Sequence, residues 1–359
     1  MVWTRRRSAN ATQGGVPHHG EPVITTADLK SLRTELNRHG VFEHRTRATW
    51  GKLIALLAAF FLIAGAAVLS PWWWLALPLI LLSAIPAACA AMIGHEAAHG
   101  SFAVGKLHNE IALHLIFPLF TGLGAQYWKH KHNHRHHAHP NVVGSDPDVD
   151  IWPMALSSSA YRESGRLRRW FTRRLQPYLF WPLTLFLAFV MRLQSWSFVV
   201  ARVRARGFDR GLAADIAFMA AHYTLWLVAP AFWFGALPVV TFYLVLWGTV
   251  GFLLALVFAP AHIGMPVHSA GGKGWIHQLE TTRNFRLPRV VSWFFIGLDF
   301  QVEHHLFPRI PHQQLALASQ VTRGWCGRLG LPHHQIGYGA ALADATRHLR
   351  VSWRDVPLE

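Results

Sequence analysis

The sequence predicts an all-α integral membrane protein: four transmembrane helices in two hairpins, with a cytoplasmic histidine-rich cap and interfacial helices. Of the 359 residues, 52% are hydrophobic and only 14% are charged, whereas soluble domains carry about 25% charged residues. Apolar runs long enough to cross a hydrocarbon core of about 30 Å form two pairs. Each pair is joined by a short uncharged turn: residues 53–69 with 72–92, and residues 212–234 with 239–258.

Basic residues predict the orientation of these spans. They precede the first and third spans and follow the fourth: Arg45, Arg47, Lys52, Arg202, Arg204, Arg206, Arg210, Lys273, Arg283, Arg286 and Arg289. By the positive-inside rule, both termini and all basic loops are cytoplasmic in a multi-pass protein of the cell membrane. The net charge of +16 is therefore attributed to topology and to anionic lipid headgroups, and not to nucleic acid.

Three further segments are predicted to lie at the membrane surface or partly within it. Residues 27–45 have the pattern of an amphipathic helix on the membrane. Residues 111–123 are apolar but too short to span, and residues 177–191 are interrupted by Pro182 and ended by Arg192. Interfacial or re-entrant helices fit both stretches better than complete spans.

Three histidine-rich boxes dominate the polar part of the chain. They read HEAAH at residues 95–99, HNHRHH at residues 132–137 and QVEHH at residues 301–305. Neutral imidazole binds iron, zinc, copper or nickel at physiological pH, so the boxes indicate a metal site, and their number indicates more than one ion. Residues 72–95 make about 35 Å of helix, which places the first box just beyond the hydrocarbon on the cytoplasmic side, with the others.

Spacing selects the candidate ligands within and around the boxes. One helical turn cannot aim six imidazoles at one point, so in the second box we predict ligation by His132, His136 and His137 but not by His130, His134 or His139. The first and third boxes add His95, His99, His304 and His305. His262 directly follows the fourth span at the depth of the boxes and is also predicted to be a ligand. His222 lies inside the third span, where a neutral histidine bonded to a neighbouring helix is expected.

Two features near the boxes leave alternatives open. Gln301 lies one turn before His304 and either ligates through its carbonyl oxygen or holds a metal-bound water. The acidic stretch from Asp146 to Asp150 either orients ligand imidazoles by accepting their distal N–H groups or is a plain solvated loop.

Two other classes of metal protein share part of this pattern. HEAAH satisfies the H-E-x-x-H pattern of zinc peptidases, and its place at the end of a span would suit an intramembrane metalloprotease. A peptidase gives no reason for the other two boxes. A metal transporter should carry histidines or carboxylates deep in several spans, whereas here only His222 is deep.

The boxes in their order, spacing and side of the membrane resemble those of the membrane fatty acid desaturases, in particular a bacterial linoleoyl-CoA or front-end-like branch. The pattern is HxxxH after the second span, HxxxHH about 30 residues later and QxxHH after the fourth span. Surrounding stretches add to the likeness, which covers roughly residues 40–315: HEAAHGSF at 95–102, PNVVGSDPDVD at 140–150, TTRN at 281–284 and LDFQVEHHLFP at 298–308.

The resemblance implies a four-span fold with two non-haem iron ions and O₂ as co-substrate, and it implies removal of two hydrogens from a fatty acyl chain. It assigns as catalytic metal ligands His95, His99, His132, His136, His137, His304 and His305, with His262 as an additional ligand. The substrate would be an acyl-CoA or an acyl-lipid. A lipid, alkane or carotenoid hydroxylase on the same scaffold stays an open alternative.

The chain departs from many relatives at three points. Asn133 stands where the commoner HxxHH register would need histidine, and Gln301 replaces a histidine, as in front-end enzymes. The His-Pro-Gly-Gly motif of a fused cytochrome b5 domain is missing, so electrons are expected from a separate ferredoxin or cytochrome b5. The resulting organisation is a disordered tail at residues 1–30, a membrane catalytic domain at 31–315 and a C-terminal cytoplasmic segment at 316–359.

Overall fold

The computed structural model describes residues 25–149, 151–268 and 274–354. Most of the expected disordered tail, residues 1–24, lies outside the described residues, and α1 begins at Thr26. The α-helices are α1 (Thr26–Arg38), α2 (Thr46–Leu69), α3 (Trp73–His99), α4 (Lys106–His114), α5 (Ala125–Trp128), α6 (Ser158–Glu163), α7 (Arg166–Arg174), α8 (Gln176–Leu183), α9 (Leu187–Arg206), α10 (Arg210–Tyr223), α11 (Ala229–Phe234), α12 (Ala236–His262), α13 (Trp275–Thr281), α14 (Arg289–Phe295), α15 (Gln301–Leu306), α16 (Leu315–Leu329) and α17 (Tyr338–Val351).

Short irregular elements join or interrupt these helices. Three stretches are π-helical, Leu115–Thr121, Lys129–His136 and Thr224–Val228, and two are 3₁₀-helical, Thr184–Phe186 and His312–Gln314. Strands β1 (Asn284–Arg286) and β2 (Gln335–Gly337) pair in parallel, with Phe285 opposite Ile336. The fold is therefore almost entirely helical, as expected from the sequence.

Within the described ranges, five helical stretches are long and apolar enough to cross a membrane: Thr46–Leu69, Trp73–His99, Gln176–Arg206, Arg210–Phe234 and Ala236–His262. Four of them correspond to the predicted spans. Their outer faces expose large apolar side chains, including Leu69, Trp73 and Phe232 at 81%, 77% and 83%. Such an apolar surface suits contact with lipid, because lipid tails form no hydrogen bonds with the protein.

The remaining stretch, Gln176–Arg206, is one that the sequence assigned to the membrane interface, so the predicted count of four is not confirmed. Pro182 does not end this helix, because a 3₁₀ turn at Thr184–Phe186 carries the chain past it. Arg192 does not end it either: the side chain is buried, Nε donates to the Thr121 carbonyl at 2.7 Å, and the guanidinium lies 4.4 Å from the Trp247 ring centroid.

The helix predicted at residues 27–45 exists but packs on protein. Its apolar side chains Leu32 and Leu36, with Val41 just beyond the helix, are fully buried in a cluster that includes Trp325 of α16. The expectation that this helix lies on the membrane is therefore wrong. An amphipathic pattern specifies only that one face is apolar, and here α16 covers that face.

The short apolar stretch at residues 111–123 is enclosed by the spans. Ile116 and Phe117 pack against α3 at Gly94, and the Phe120 ring contacts Phe60 of α2 edge-on at 5.2 Å. This stretch thus forms an inner wall beside α3, as a re-entrant segment would.

A layer of short helices covers the ends of α3 and α12; we call it the cap, and it comprises residues 125–174 and 274–354 as far as they are described. The Arg283 guanidinium connects the cap to the end of α12. Its Nε donates to the Pro260 carbonyl at 2.7 Å, and its Nη2 donates to the Ile263 carbonyl. Its Nη1 pairs with Asp344 of α17. The Tyr338 hydroxyl donates to the Leu256 carbonyl at 2.9 Å. The C-terminal residues therefore pack on the same body as the boxes.

Candidate metal centre

The three boxes meet where the end of α3 contacts the cap. The first is the last turn of α3, which Gly100 terminates in the left-handed conformation at φ 74°. The second forms the π-helix Lys129–His136, and the third is α15. Because a π-helix has a wider turn than an α-helix, positions i, i+4 and i+5 share one face. This geometry places His132, His136 and His137 on the same side, with the His137 N–H donating to the His132 carbonyl at 2.9 Å.

Five imidazoles form the first histidine group: His95, His99, His132, His137 and His304. Their Nε2 atoms face one another. The separations are 2.8 Å for His95–His132, 3.3 Å for His95–His99, 3.1 Å for His132–His137 and 3.1 Å for His137–His304.

Three imidazoles form the second histidine group: His136, His262 and His305. Their ring centroids are 4.8 to 5.0 Å apart. The two groups adjoin, since the ring of His305 stacks on that of His137 at 4.2 Å. All eight predicted histidines are thus brought together, although they are separated by up to 210 residues in the sequence.

Two consecutive pairs of histidines connect the groups. In each pair one member belongs to each group: His137 and His304 to the first, His136 and His305 to the second. Successive residues on a helix point about 100° apart, so each pair can serve two neighbouring centres. This geometry explains why the second and third boxes each contain two consecutive histidines.

The spacing of the nitrogens fits metal coordination. Two imidazole nitrogens that lie about 2.1 Å from one ion, at a right angle, are about 3 Å apart, which is the spacing of the first group. Lone pairs facing each other at this distance repel unless a cation or a proton lies between them. An all-imidazole donor set suits divalent iron, copper, nickel or zinc, and the proximity of the groups suits two ions.

Burial keeps the cap histidines in the form that binds metal. It holds the pKa of His132, His137, His304 and His305 well below the usual value, and the neighbouring imidazoles lower it further. His136 differs: burial lowers its pKa, but the adjacent Asp146 carboxylate outweighs burial and raises it overall. Burial by itself would raise the pKa of Asp146, but His136 and the hydrogen bonds to the carboxylate lower that pKa to about 2.

Two side chains fix imidazoles of the second histidine group through the nitrogen that faces away from that group. His136 Nδ1 donates to both oxygens of Asp146, at 3.1 and 3.0 Å. His305 Nδ1 donates to Gln278 Oε1 at 3.0 Å, and Gln278 Nε2 donates to the His137 carbonyl at 3.0 Å. The hydrogen bond considered for the acidic stretch is therefore present at Asp146, while ligation by His136 stays a prediction. Gln278 was missed, because nothing in its local sequence marks it.

Glu96 is engaged outside the histidine groups. One carboxylate oxygen accepts the His312 backbone N–H at 2.9 Å, and the other accepts from His312 Nδ1 at 2.7 Å. A peptidase of the H-E-x-x-H type needs this carboxylate free to take a proton from metal-bound water. The arrangement therefore favours a tether between α3 and the cap over the peptidase alternative.

The other histidines of interest lie where the sequence placed them. His222 Nδ1 donates to the Leu119 carbonyl at 3.1 Å, and Nε2 lies 2.8 Å from the Tyr243 hydroxyl of the neighbouring α12, which confirms a structural role. His130 and His134 are exposed. Gln301 is buried and its amide nitrogen donates to the Leu298 carbonyl at 3.0 Å, so ligation by its oxygen stays a prediction.

An outer and an inner cavity, both mainly apolar, adjoin beside the histidine groups. The outer part, about 420 Å³, is lined by His132, His136 and His262 together with apolar and several other polar side chains. The inner part reaches His95 and ends near Thr121, Arg192 and Trp247. Both parts share Trp128, Leu187, Met191 and Phe258. Four of the eight histidines thus line one or other of these adjoining cavities.

Comparison with known proteins agrees with these features. Residues 71–337, about three quarters of the chain, match the family model described as fatty acid desaturase. The chain belongs to the fatty acid desaturase family. This family match covers all three boxes and His262.

Curated desaturases are similar over most of the chain. Fatty acid desaturase 3 of Homo sapiens is 24% identical over 74% of this chain and 59% of its own length. Delta(8)-fatty-acid desaturase 2 of Arabidopsis thaliana is 26% identical over 93% and 76%, and the Delta(8)-fatty-acid desaturase of Euglena gracilis is 30% identical over 59% and 52%. The chain thus spans between about half and three quarters of the length of these relatives.

Proposed function

We propose that this chain is an O₂-dependent fatty acyl desaturase. Two adjacent methylene groups of an acyl chain lose one hydrogen each and become joined by a double bond, while O₂, two electrons and two protons form two molecules of water. The observation that carries this proposal is that eight imidazoles from four segments converge, and that four of them, His95, His132, His136 and His262, line adjoining apolar cavities. Membership of the desaturase family supports it.

Each histidine group would hold one iron ion. The first group offers His95, His99, His132, His137 and His304, and the second offers His136, His262 and His305, with Gln301 as a weak ligand or as a holder of water. When bound, iron supplies the redox chemistry with O₂ that neither imidazole nor zinc provides. Asp146 and Gln278 keep the His136 and His305 rings turned toward their ions.

The cavity would hold the acyl chain and exclude water from the reacting carbons. A chain entering through the outer part passes His132 and then His95 before it reaches Arg192 and Trp247. The inner part is lined almost wholly by apolar side chains, as binding of a hydrocarbon chain requires, whereas the outer part also carries charged groups such as Lys131 and Asp148. The position of the double bond would follow from the distance between the mouth and the histidines.

A basic surface beside the mouth suits a phosphate-bearing carrier, either coenzyme A or a phospholipid. Helix α7 contributes Arg166, Arg169, Arg173 and Arg174 to one surface pocket, together with Trp170. Arg168 of the same helix donates to the carbonyl of Met154, a cavity-lining residue, at 3.1 Å. Positive charge on the cap would also attract an acidic electron donor, a separate ferredoxin or cytochrome b5.

The cap would face the cytoplasm of a cell whose membrane holds the spans. The Gln176–Arg206 helix contacts the cap at two points: Gln176 Nε2 donates to the Ser352 hydroxyl at 3.0 Å, and Phe198, eight residues before the helix ends, stacks on His130 at 5.3 Å. These contacts in both halves of the helix would hold it along the interface. Four spans would then remain, with both termini on the cytoplasmic side.

The branch of the family would be the bacterial linoleoyl-CoA or front-end-like one. Gln301 at the start of the third box and the names of two relatives as Delta(8)-fatty-acid desaturases support this assignment.

The test is fatty-acid profiling of a host that expresses the wild-type chain, His304→Ala or His134→Ala. We expect a new unsaturated species, two mass units lighter than its precursor, with the wild type and with His134→Ala, because His134 is exposed and lies outside both groups. His304→Ala should abolish it. Mass spectrometry of derivatised lipids gives the position of the double bond.

Two results would contradict the proposal. A product heavier by one oxygen atom would identify a hydroxylase, and a product that persists in His304→Ala would show that the histidine groups are not the reaction centre. Equal protein levels in all three strains are the control for expression.

A further inference from the structure

A third cluster of metal-binding side chains lies outside both histidine groups. One ligand atom each from His268, His277 and Glu280 lies within 4.8 Å of the others. The two rings are 4.9 Å apart at an angle of 63°. His277 and Glu280 are separated by one turn of α13 and therefore share a helix face.

The tautomer of His277 leaves a lone pair available for a metal. The side chain is buried, and Nε2 donates to the Pro140 carbonyl at 2.7 Å. Since the nitrogen that donates carries the ring proton, Nδ1 keeps its lone pair. A backbone carbonyl that holds the distal N–H is the usual partner of a metal-ligating histidine.

The His268 backbone is held in place by two hydrogen bonds. Its backbone N–H donates to the Asn141 carbonyl at 2.9 Å, and its carbonyl accepts from the Val143 N–H at 2.9 Å. Among the described residues, its buried Nε2 atom has no hydrogen-bond partner. An unpaired buried polar atom costs about 1 to 3 kcal/mol, which a metal–nitrogen bond would remove.

We propose that His268, His277 and Glu280 bind a divalent transition-metal ion, with zinc the best match, at a site separate from the two histidine groups. Two neutral imidazoles and one carboxylate form the His₂Glu donor set that zinc accepts with water in the remaining position. Glu280 is partly exposed, which gives an ion access from solvent.

The position of this site suggests that a bound ion fixes the segments that position His305 and His136. Gln278, next to His277 on α13, contacts both His137 and His305. Asn141, which accepts the His268 N–H, donates its own N–H to Asp146 Oδ2 at 2.9 Å. An ion here would therefore join the two segments that supply the orienting groups for His305 and His136.

The test measures metal content and not catalysis. Purified full-length protein that carries its iron is equilibrated with Zn²⁺ and desalted, and iron and zinc are counted by mass spectrometry. We expect about one zinc ion per chain with no loss of iron. Glu280→Gln and His268→Asn should each bind zinc at least tenfold more weakly. Glu110→Gln, which removes the same charge one turn from His114, should behave as the wild type.

The outcomes separate this proposal from the proposed function. Zinc uptake that is unchanged in Glu280→Gln and His268→Asn, or no uptake by iron-loaded wild type, would overturn the third site whatever the enzyme's activity. An inactive protein that binds zinc through these residues would retain the site while contradicting the desaturase. Melting temperatures of the variants show whether they fold, and Glu280→Gln alters only a partly exposed side chain.

Discussion

At the residue scale, the candidate centre depends on groups that never touch a metal. His136 is the clearest case, because its ring is fixed by two hydrogen bonds to Asp146. Asp146 is in turn fixed by the backbone N–H groups of Asn141 and Asp148, both at 2.9 Å. The sequence marked the acidic stretch but not which carboxylate acts, since that choice depends on how the loop folds back onto the π-helix.

We expect Asp146→Asn to lower iron occupancy at the second histidine group, and activity with it, by about 10- to 100-fold. The amide keeps the shape but loses the negative charge that holds the His136 N–H. Iron analysis and fatty-acid profiling measure the effect. Asp148→Asn is the matched control, because that side chain is 41% exposed and lies farther from His136 Nδ1, at 3.6 Å. Equal losses in both variants would exclude a specific role for Asp146.

At the element scale, close packing sets where α3 presents the first box. Gly94 directly precedes His95, and a Cβ there would lie 2.6 Å from Ile116 Cγ2 and 3.0 Å from Phe117 Cε1. Glycine thus lets α3 approach the re-entrant stretch closely enough for His95 to reach His132. The helix itself was predictable from its apolar run, but this approach distance was not, because it depends on a segment more than 20 residues away.

Gly94→Ala should destabilise the fold by about 1 to 3 kcal/mol through overpacking and should also weaken metal binding by displacing His95. Thermal unfolding and iron content measure the two effects. Gly65→Ala, in α2, is the control: a Cβ there meets nothing within 4 Å, and no loss is expected. Adding Ile116→Ala should restore part of the loss; if it does not, the clash is not the cause.

At the scale of the whole molecule, one body joins spans, cap and C-terminal helices around the histidines. Four segments supply the imidazoles, and Arg283, Glu96 and Asn284 tie those segments together. The Asn284 side chain forms three such bonds: it donates to Glu303 at 2.7 Å and to Ser319 at 3.1 Å, and it accepts the Val302 N–H at 2.9 Å. The metal centre and the global fold should therefore be thermodynamically coupled.

Removal of metal should lower the stability of the whole protein. Ions that bind only the folded state stabilise it by about 3 kcal/mol at one hundred times their dissociation constant, and their loss leaves the clustered imidazoles to repel one another. Thermal unfolding in detergent, with and without chelator, measures this. In the double variant His304→Ala/His305→Ala the response to chelator should be much smaller. A full response there would place the stabilising ion elsewhere.

The length of the apolar path should set which acyl chains react. Met191 lines both the outer and the inner part of the cavity, so Met191→Trp should close the inner part. Conversion of long chains should fall about tenfold or more relative to short ones, as seen by lipid profiling of mixed substrates. Leu193→Trp, at a side chain that is 68% exposed, is the control. If Met191→Trp left the preference for acyl-chain length unchanged, the inner part of the cavity would not be where the acyl chain binds.

The sequence by itself determined the helical membrane class, four of the five long apolar helices and the eight histidines that come together, because apolar run length and imidazole spacing are local properties. It could not place α1, which buries Leu32 and Leu36 against α16, or the helix around Arg192, which continues because Thr121 and Trp247 surround that charge. Gln278 and the division of the histidines into two groups likewise arose only from tertiary structure. Those features depend on which distant segments meet, and a hydrophobic or histidine pattern does not specify the segment against which it packs.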